Sequence, residues 1–188
     1  MNDTTTARTQ DRRTGATPRI YVASLADYNA GRLLGKWIDA DQDDEAIHAE
    51  IQAMLATSCE PVAEEWAIHD HEGFGPWSPR EYEGIDTVAT VARWIASVGE
   101  VFGGLLNHLG NLDEAIKYMD EAYRGAWDSL LDYVENFVDD IYGHELKNLP
   151  EILRYHIDYE GIARDFELSG DIFTIELDRK VHVFDANI

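Results

Sequence analysis

The sequence predicts an α+β protein, and three observations carry that prediction. β-branched and aromatic runs mark strands before residue 71 and again near the C-terminus, with turn residues between them. Between those regions apolar residues recur at helical spacing, and strand signals stop after residue 84. The chain is also apolar enough to fold: 45% of its 188 residues are hydrophobic, with five Trp, nine Tyr and six Phe to build a core.

Residues 1–18, rich in Thr and bearing Arg8, Arg12 and Arg13, read as a disordered lead-in that ends at Pro18. Ile20–Ser24 and Gly31–Ile38 are predicted strands, with Asp27 and Asn29 supplying turn chemistry between them. Asp41 or Asp43 is placed to cap a helix to about Ala56, whose apolar positions Ala46, Ile47, Ile51, Met54 and Leu55 step at helical spacing. Glu65–Asp70 reads as a third strand, and two glycines and two prolines make Gly73–Pro79 a loop. Thr87–Val98 and Gly99–Leu109 read as short helices, with Gly99, Gly103 and Gly104 predicting that such helices meet closely. Asn111 and Glu114 are spaced as a capping box for a helix through about Tyr123. A longer helix is predicted over Gly125–Tyr142, on the apolar stripe Trp127, Leu130, Leu131, Val134, Phe137, Val138 and Ile141. Pro150 begins a further short helix, Tyr159–Phe166 reads as another, and Ile172–Leu177 with Val181–Phe184 form a hairpin around Asp178, Arg179 and Lys180.

Charge sets this chain apart from an ordinary domain of the same elements. It holds 37 acids against 15 Lys and Arg, a net −22. Residues 1–18 carry +1, so the remainder is the anion at −23, and residues 38–86 hold 14 acids with Arg80 as the only base. Such a surface repels itself and repels nucleic acid, so direct nucleic-acid binding is excluded and a partner with a basic groove is favoured. In the predicted 125–142 helix, Asp128, Asp132, Glu135 and Asp139 form a row, without basic residues at the i,i+4 positions that would neutralise it. At 1.5 Å rise per residue, steps of three and four put its carboxylates roughly 4.5 to 6 Å apart along the axis. Twenty-two charges equal the phosphate charge of about 37 Å of duplex, roughly 11 base pairs.

Other chemistries have weaker support. Asp39, Asp41, Asp43, Glu45 and Glu50 fall at calcium-loop positions one, three, five, seven and twelve, but position six is Asp44 where the sharp turn calls for Gly. A cytoplasmic acidic binding or calcium-buffering module is the alternative reading that this pattern leaves open. His69 and His71 project to one side of a predicted strand, but two histidines do not make a metal site, and His108, His144, His156 and His182 show no ligand spacing. No phosphate loop or nucleophile elbow is present, and Cys59, followed by Glu60 and Pro61, has no evident histidine partner. No enzyme, cofactor or metal is therefore expected. A single cysteine gives no intrachain disulfide and points to the cytoplasm, and no apolar run approaches the roughly 18 residues of a membrane span.

Three motifs carry a resemblance to a known family: RIYVASLADYN at residues 19–29, EEWAIHD at 64–70, and LPEILRYHIDY at 149–159, followed by Ala163-Arg164-Asp165 and Ser169-Gly170. In this order, from residue 19 to the C-terminus, the chain resembles the ArdA family of antirestriction proteins. The resemblance implies a DNA mimic of mobile genetic elements that occupies the DNA-binding groove of type I restriction-modification enzymes, in their methyltransferase core. It further implies an elongated rod of three small α+β or helical domains, here 19–84, 85–124 and 125–188, forming a homodimer through the last. Small antiparallel sheets would flank a central helical domain. Acids expected to stand for phosphates are Asp39, Asp41, Asp43, Asp44 and Glu45, then Asp113, Glu114, Asp120 and Glu121, then Asp128, Asp132, Glu135 and Asp139. The segment from Leu146 to Tyr159, with Leu149, Pro150, Ile152, Leu153, Tyr155, Ile157 and Tyr159, matches the family's antirestriction motif and is expected to bear on the dimer.

Overall fold

The computed structural model describes residues 17–188, so the expected lead-in lies outside the described residues except for Thr17 and Pro18. Pro18 is already buried, and its carbonyl accepts the Ala40 N–H at 2.8 Å. The fold is α+β, with eight helices and two three-stranded antiparallel sheets among the described residues. It divides into two compact units, one ending at His108 and one running from Leu109 to Ile188.

The N-terminal unit is built on β1 (Arg19–Ser24), which lies between β2 (Gly35–Asp39) and β3 (Trp66–Glu72). Alternation drives Ile20 and Val22 of β1 to zero exposure, and α2 (Asp44–Leu55) packs against β2 through the sequence-predicted stripe Ile47, Ile51, Met54 and Leu55. α3 (Ile85–Val98) packs on α2, and α4 (Val101–Leu109) buries every residue from Val101 to Leu106. The close approach foreseen at Gly103 is real, but it meets a loop and not another helix: a Cβ there would lie 2.3 Å from the Phe74 carbonyl oxygen.

Two local readings are corrected here. The segment after β1 is a short helix, α1 (Leu25–Asn29), capped by Ser24, and β2 starts at Gly35 and not at Gly31. Asp27 explains both: only 2% exposed, it accepts from Ser24 Oγ at 2.8 Å, Ser58 Oγ at 2.5 Å and the Arg32 guanidinium at 3.2 Å, which holds the helical turn and fixes residues 30–34 as a connection. His69 and His71 also do not share a face in the simple manner of a regular strand. Tyr21 pairs with Asp70 and Val22 with Ile68, so His69 is the extra residue of a bulge. It is exposed against Tyr28, whereas His71 is half-buried against Phe74.

In the C-terminal unit α5 (Leu112–Glu121) begins as predicted, with the Asn111 side chain accepting the Glu114 N–H at 3.0 Å. It stops before Tyr123, because Tyr123–Trp127 is a strand, β4, paired to β6 (Lys180–Asp185), which pairs in turn with β5 (Ile172–Leu177). The predicted 125–142 helix is thus split, and α6 (Leu130–Asn148) starts five residues later than expected. Gly125, at φ 105°, suits the bulged strand, and Ser129 starts the helix by accepting the Asp132 N–H at 3.1 Å. α7 (Glu151–Arg154) follows Pro150, and α8 (Tyr159–Ser169) packs on α6. The core is Tyr133, Val134, Val138, Ala163, Ile172 and Val183. In the predicted hairpin Leu177 pairs with Lys180, leaving Asp178 and Arg179 both left-handed, at φ 51° and 62°.

Candidate functional site

The acids singled out by sequence are placed by three local structures. Asp39 closes β2, Asp41 lies in the turn, Asp43 occupies the N-cap of α2, and Asp44 and Glu45 fill its first turn. Negative charge at that end is favoured by the helix dipole, which lets five carboxylates crowd into one connection. Asp44 is half-buried and the other four are exposed. The Asp44 carboxyl is held below its ordinary pKa, chiefly through Glu45, whose backbone N–H donates to Asp44 Oδ1 at 3.1 Å.

In the second unit Asp113 and Glu114 open α5, while Asp120 and Glu121 sit at its other end, and all four are exposed. Acids in a last turn oppose the dipole, at about 0.3–1 kcal/mol each, and no basic residue accompanies them there. Stability alone does not account for that placement. On α6, Asp132, Glu135 and Asp139 keep the predicted three- and four-residue steps, and all are exposed. Asp128 does not belong to this row, since it precedes the helix and pairs with Lys180. Asp140, exposed beside Asp139, extends the acidic face and was passed over in the sequence reading.

Of these thirteen acids, only Asp43, 3.7 Å from Arg93, and Asp128 form an ion pair with Lys or Arg among the described residues. The other ion pairs there tie structural acids: Arg19 to Glu72, Arg32 to Asp27 and Glu60, Lys36 to Glu50 at 2.5 Å, and Arg124 to Asp185 at 3.0 Å. Asp27, Glu50 and Asp185 each have a lowered pKa, with the largest cause a hydrogen bond from Ser58, from Lys36 and from the Asn187 backbone N–H respectively. The calcium-loop pattern is overturned in geometry: Glu45 and Glu50 lie on α2, and Glu50 is engaged by Lys36 and Gln42. Cys59 is exposed, in the connection between α2 and β3.

The segment expected to bear on the dimer is strongly apolar at its surface. Ile152, Leu153 and Tyr155, in and just after α7, are 69%, 53% and 78% exposed, and Leu149 and Pro150 are exposed beside them. Ile157 and Tyr159 turn partly inward, and Ile157 lines an open cavity of about 540 Å³ with Phe137, Tyr142, Leu146, Ile162 and Phe166.

Sequence reasoning missed a second cavity, in the N-terminal unit. The Ile68 N–H donates to the Glu81 carbonyl at 2.9 Å, laying the segment before α3 beside β3. Trp66, Tyr82, Glu83, Asp86, Asp44 and His48 thereby line one open space of about 460 Å³. These residues span 43 positions of sequence with no shared motif, so no pattern announces them.

Together the fold and its surface define an acidic α+β protein with exposed carboxylates on both units, most of them unpaired. No helix among the described residues is long and apolar enough to cross a membrane. Residues 20–178 match the family model described as Antirestriction protein (ArdA), and the chain belongs to that family. Antirestriction follows from membership, with restriction enzymes as the partners. No curated protein matches the chain.

Proposed function

We propose that this protein is a non-enzymatic inhibitor that mimics B-form DNA and competes for the DNA-binding groove of type I restriction-modification enzymes, in the methyltransferase core. The observation that carries this reading is the exposure of twelve of the thirteen selected acids, eleven of the thirteen being free of Lys or Arg partners among the described residues. Unpaired surface carboxylates hold counterions as phosphates do, and a basic groove that releases them gains the same entropy that drives DNA binding. The exposed apolar residues of α7 support a second part of the reading, a homodimer formed through Leu149–Tyr159. The protein acts in the cytoplasm, where restriction enzymes meet incoming DNA.

The test is direct competition. Purified protein displaces fluorescent duplex DNA from a type I methyltransferase core at stoichiometric amounts or below. DNA that stays bound at a large excess of the protein would overturn the reading. Because affinity is spread over many similar contacts, each single charge-to-amide change lowers displacement only about two- to fivefold.

A further inference from the structure

We propose that the cavity at Trp66 and Tyr82 receives an arginine side chain from the basic groove of the restriction enzyme, an inference that rests on the competitive reading above. The cavity joins the two chemistries a guanidinium uses. Trp66 and Tyr82 supply aromatic walls, and Asp44, Glu83 and Asp86 supply carboxylates. The His48 ring stands edge-on to Trp66, with centroids 6.3 Å apart.

The chain's own Lys and Arg side chains leave these acids open. No Lys or Arg among the described residues pairs with Asp44, Glu83 or Asp86; Arg93 pairs with Asp43, and Arg80 offers Glu83 only its backbone N–H, at 3.4 Å. The same sheet shows the completed arrangement elsewhere. Arg19 places its guanidinium carbon 4.9 Å from the centre of the Trp37 ring while pairing with Glu72. At Trp66 the indole and the carboxylates recur, and the cation is left for a partner to bring. A planar guanidinium fits better than an ammonium, because it lies flat on a ring and forks toward carboxylates in the same plane. Phosphates are repelled by three acids, and among the described residues no three His, Cys, Asp or Glu are grouped to hold a metal.

This cavity gives the inhibitor something a duplex does not present. Carboxylates that copy phosphates offer the groove charge alone, whereas an aromatic receptor for one of its arginines adds a cation–π contact that a phosphate backbone lacks.

Two measurements test the assignment. In the first, N-acetyl-arginine methylamide is titrated into the full-length protein and followed by the indole N–H resonance of Trp66, identified with Trp66→Phe. The lysine and citrulline analogues serve as comparisons. The arginine compound gives a saturable shift, and Tyr82→Ala weakens it about two- to fivefold while Tyr82→Phe retains it. Tyr82 is 70% exposed, so neither change disturbs the core. An equal response to citrulline or to lysine overturns the assignment, as does an unchanged response in Tyr82→Ala. In the second, Tyr82→Ala displaces DNA from the methyltransferase core less well than wild type, and Tyr82→Phe matches wild type. Equal displacement by all three overturns the role in inhibition. Failure of the wild type to displace DNA sinks the competitive reading and the role of the cavity in inhibition, while the titration decides separately whether the cavity binds arginine.

Discussion

The two units carry nearly equal charge on unequal cores. Residues 17–108 hold 16 acids against 5 bases, and residues 109–188 hold 19 against 7, so each bears about the same repulsive load. Yet among the described residues 22 buried apolar residues lie in the first and 10 in the second. Exposed large apolar side chains among the described residues run the other way, four before His108 and eight after Leu109. The difference teaches that the N-terminal unit offsets its self-repulsion internally, through a sealed core. The C-terminal unit keeps much of its apolar surface at Ile141, Tyr142 and the α7 segment, where association with another copy would supply the missing burial.

Core truncation should divide the units most sharply. Phe102, fully buried, is expected to cost about 3–5 kcal/mol on change to Ala, whereas Phe137→Ala, at the rim of an open cavity, costs about 1–2 kcal/mol. Urea unfolding of the two variants checks this, and equal losses would break the contrast. Next in size is Ile152→Asp combined with Tyr155→Asp. Sedimentation should show a dimer becoming a monomer, with Tm made independent of protein concentration. A wild type that already sediments as a monomer would remove the explanation offered for the apolar surface.

Salt should act with opposite signs on stability and on binding. Raising it from about 50 to 200 mM screens self-repulsion and raises Tm, while direct binding to the methyltransferase core falls by about tenfold or more. Acid tests the ties within the first unit. The Asp27 carboxyl has a folded pKa below its unfolded value, chiefly through Ser58, so its stabilisation is present above the ordinary carboxylate range. It is lost as pH falls below about 4 toward the depressed folded value. Asp27→Asn should therefore lower Tm at pH 7 and flatten its fall in acid. The smallest effect is expected at the hairpin, where Arg179→Gly relieves a left-handed residue and stabilises by about 0.5–1 kcal/mol.

Elements ruled by local chemistry were legible in the sequence. The α2 stripe, the Asn111 cap of α5 and the Asp178-Arg179 turn each depend on residues within a few positions of one another. β4 was not, because YRGAW lacks β-branched residues and takes its strand form from pairing with β6, more than fifty residues away. Trp127 falls in helical phase with Leu130, Leu131 and Val134, which hid the boundary; the Ser129-to-Asp132 cap was the signal that marked it. The candidate site divides in the same way. Its acids could be read from the chain, but Asp128 left the α6 row with that boundary. The aromatic cavity needed α2, β3 and the segment before α3 to be brought together, and no spacing in the sequence encodes that meeting.

Cys59 is the chain's single thiol, and its neighbours Ser58 and Glu60 are fastened to Asp27 and Arg32. One nitroxide or dye can therefore be attached at one anchored point per protomer without introducing or deleting any residue. In a pair of protomers this gives a single interlabel distance, against which assembly and docking into the enzyme can both be followed.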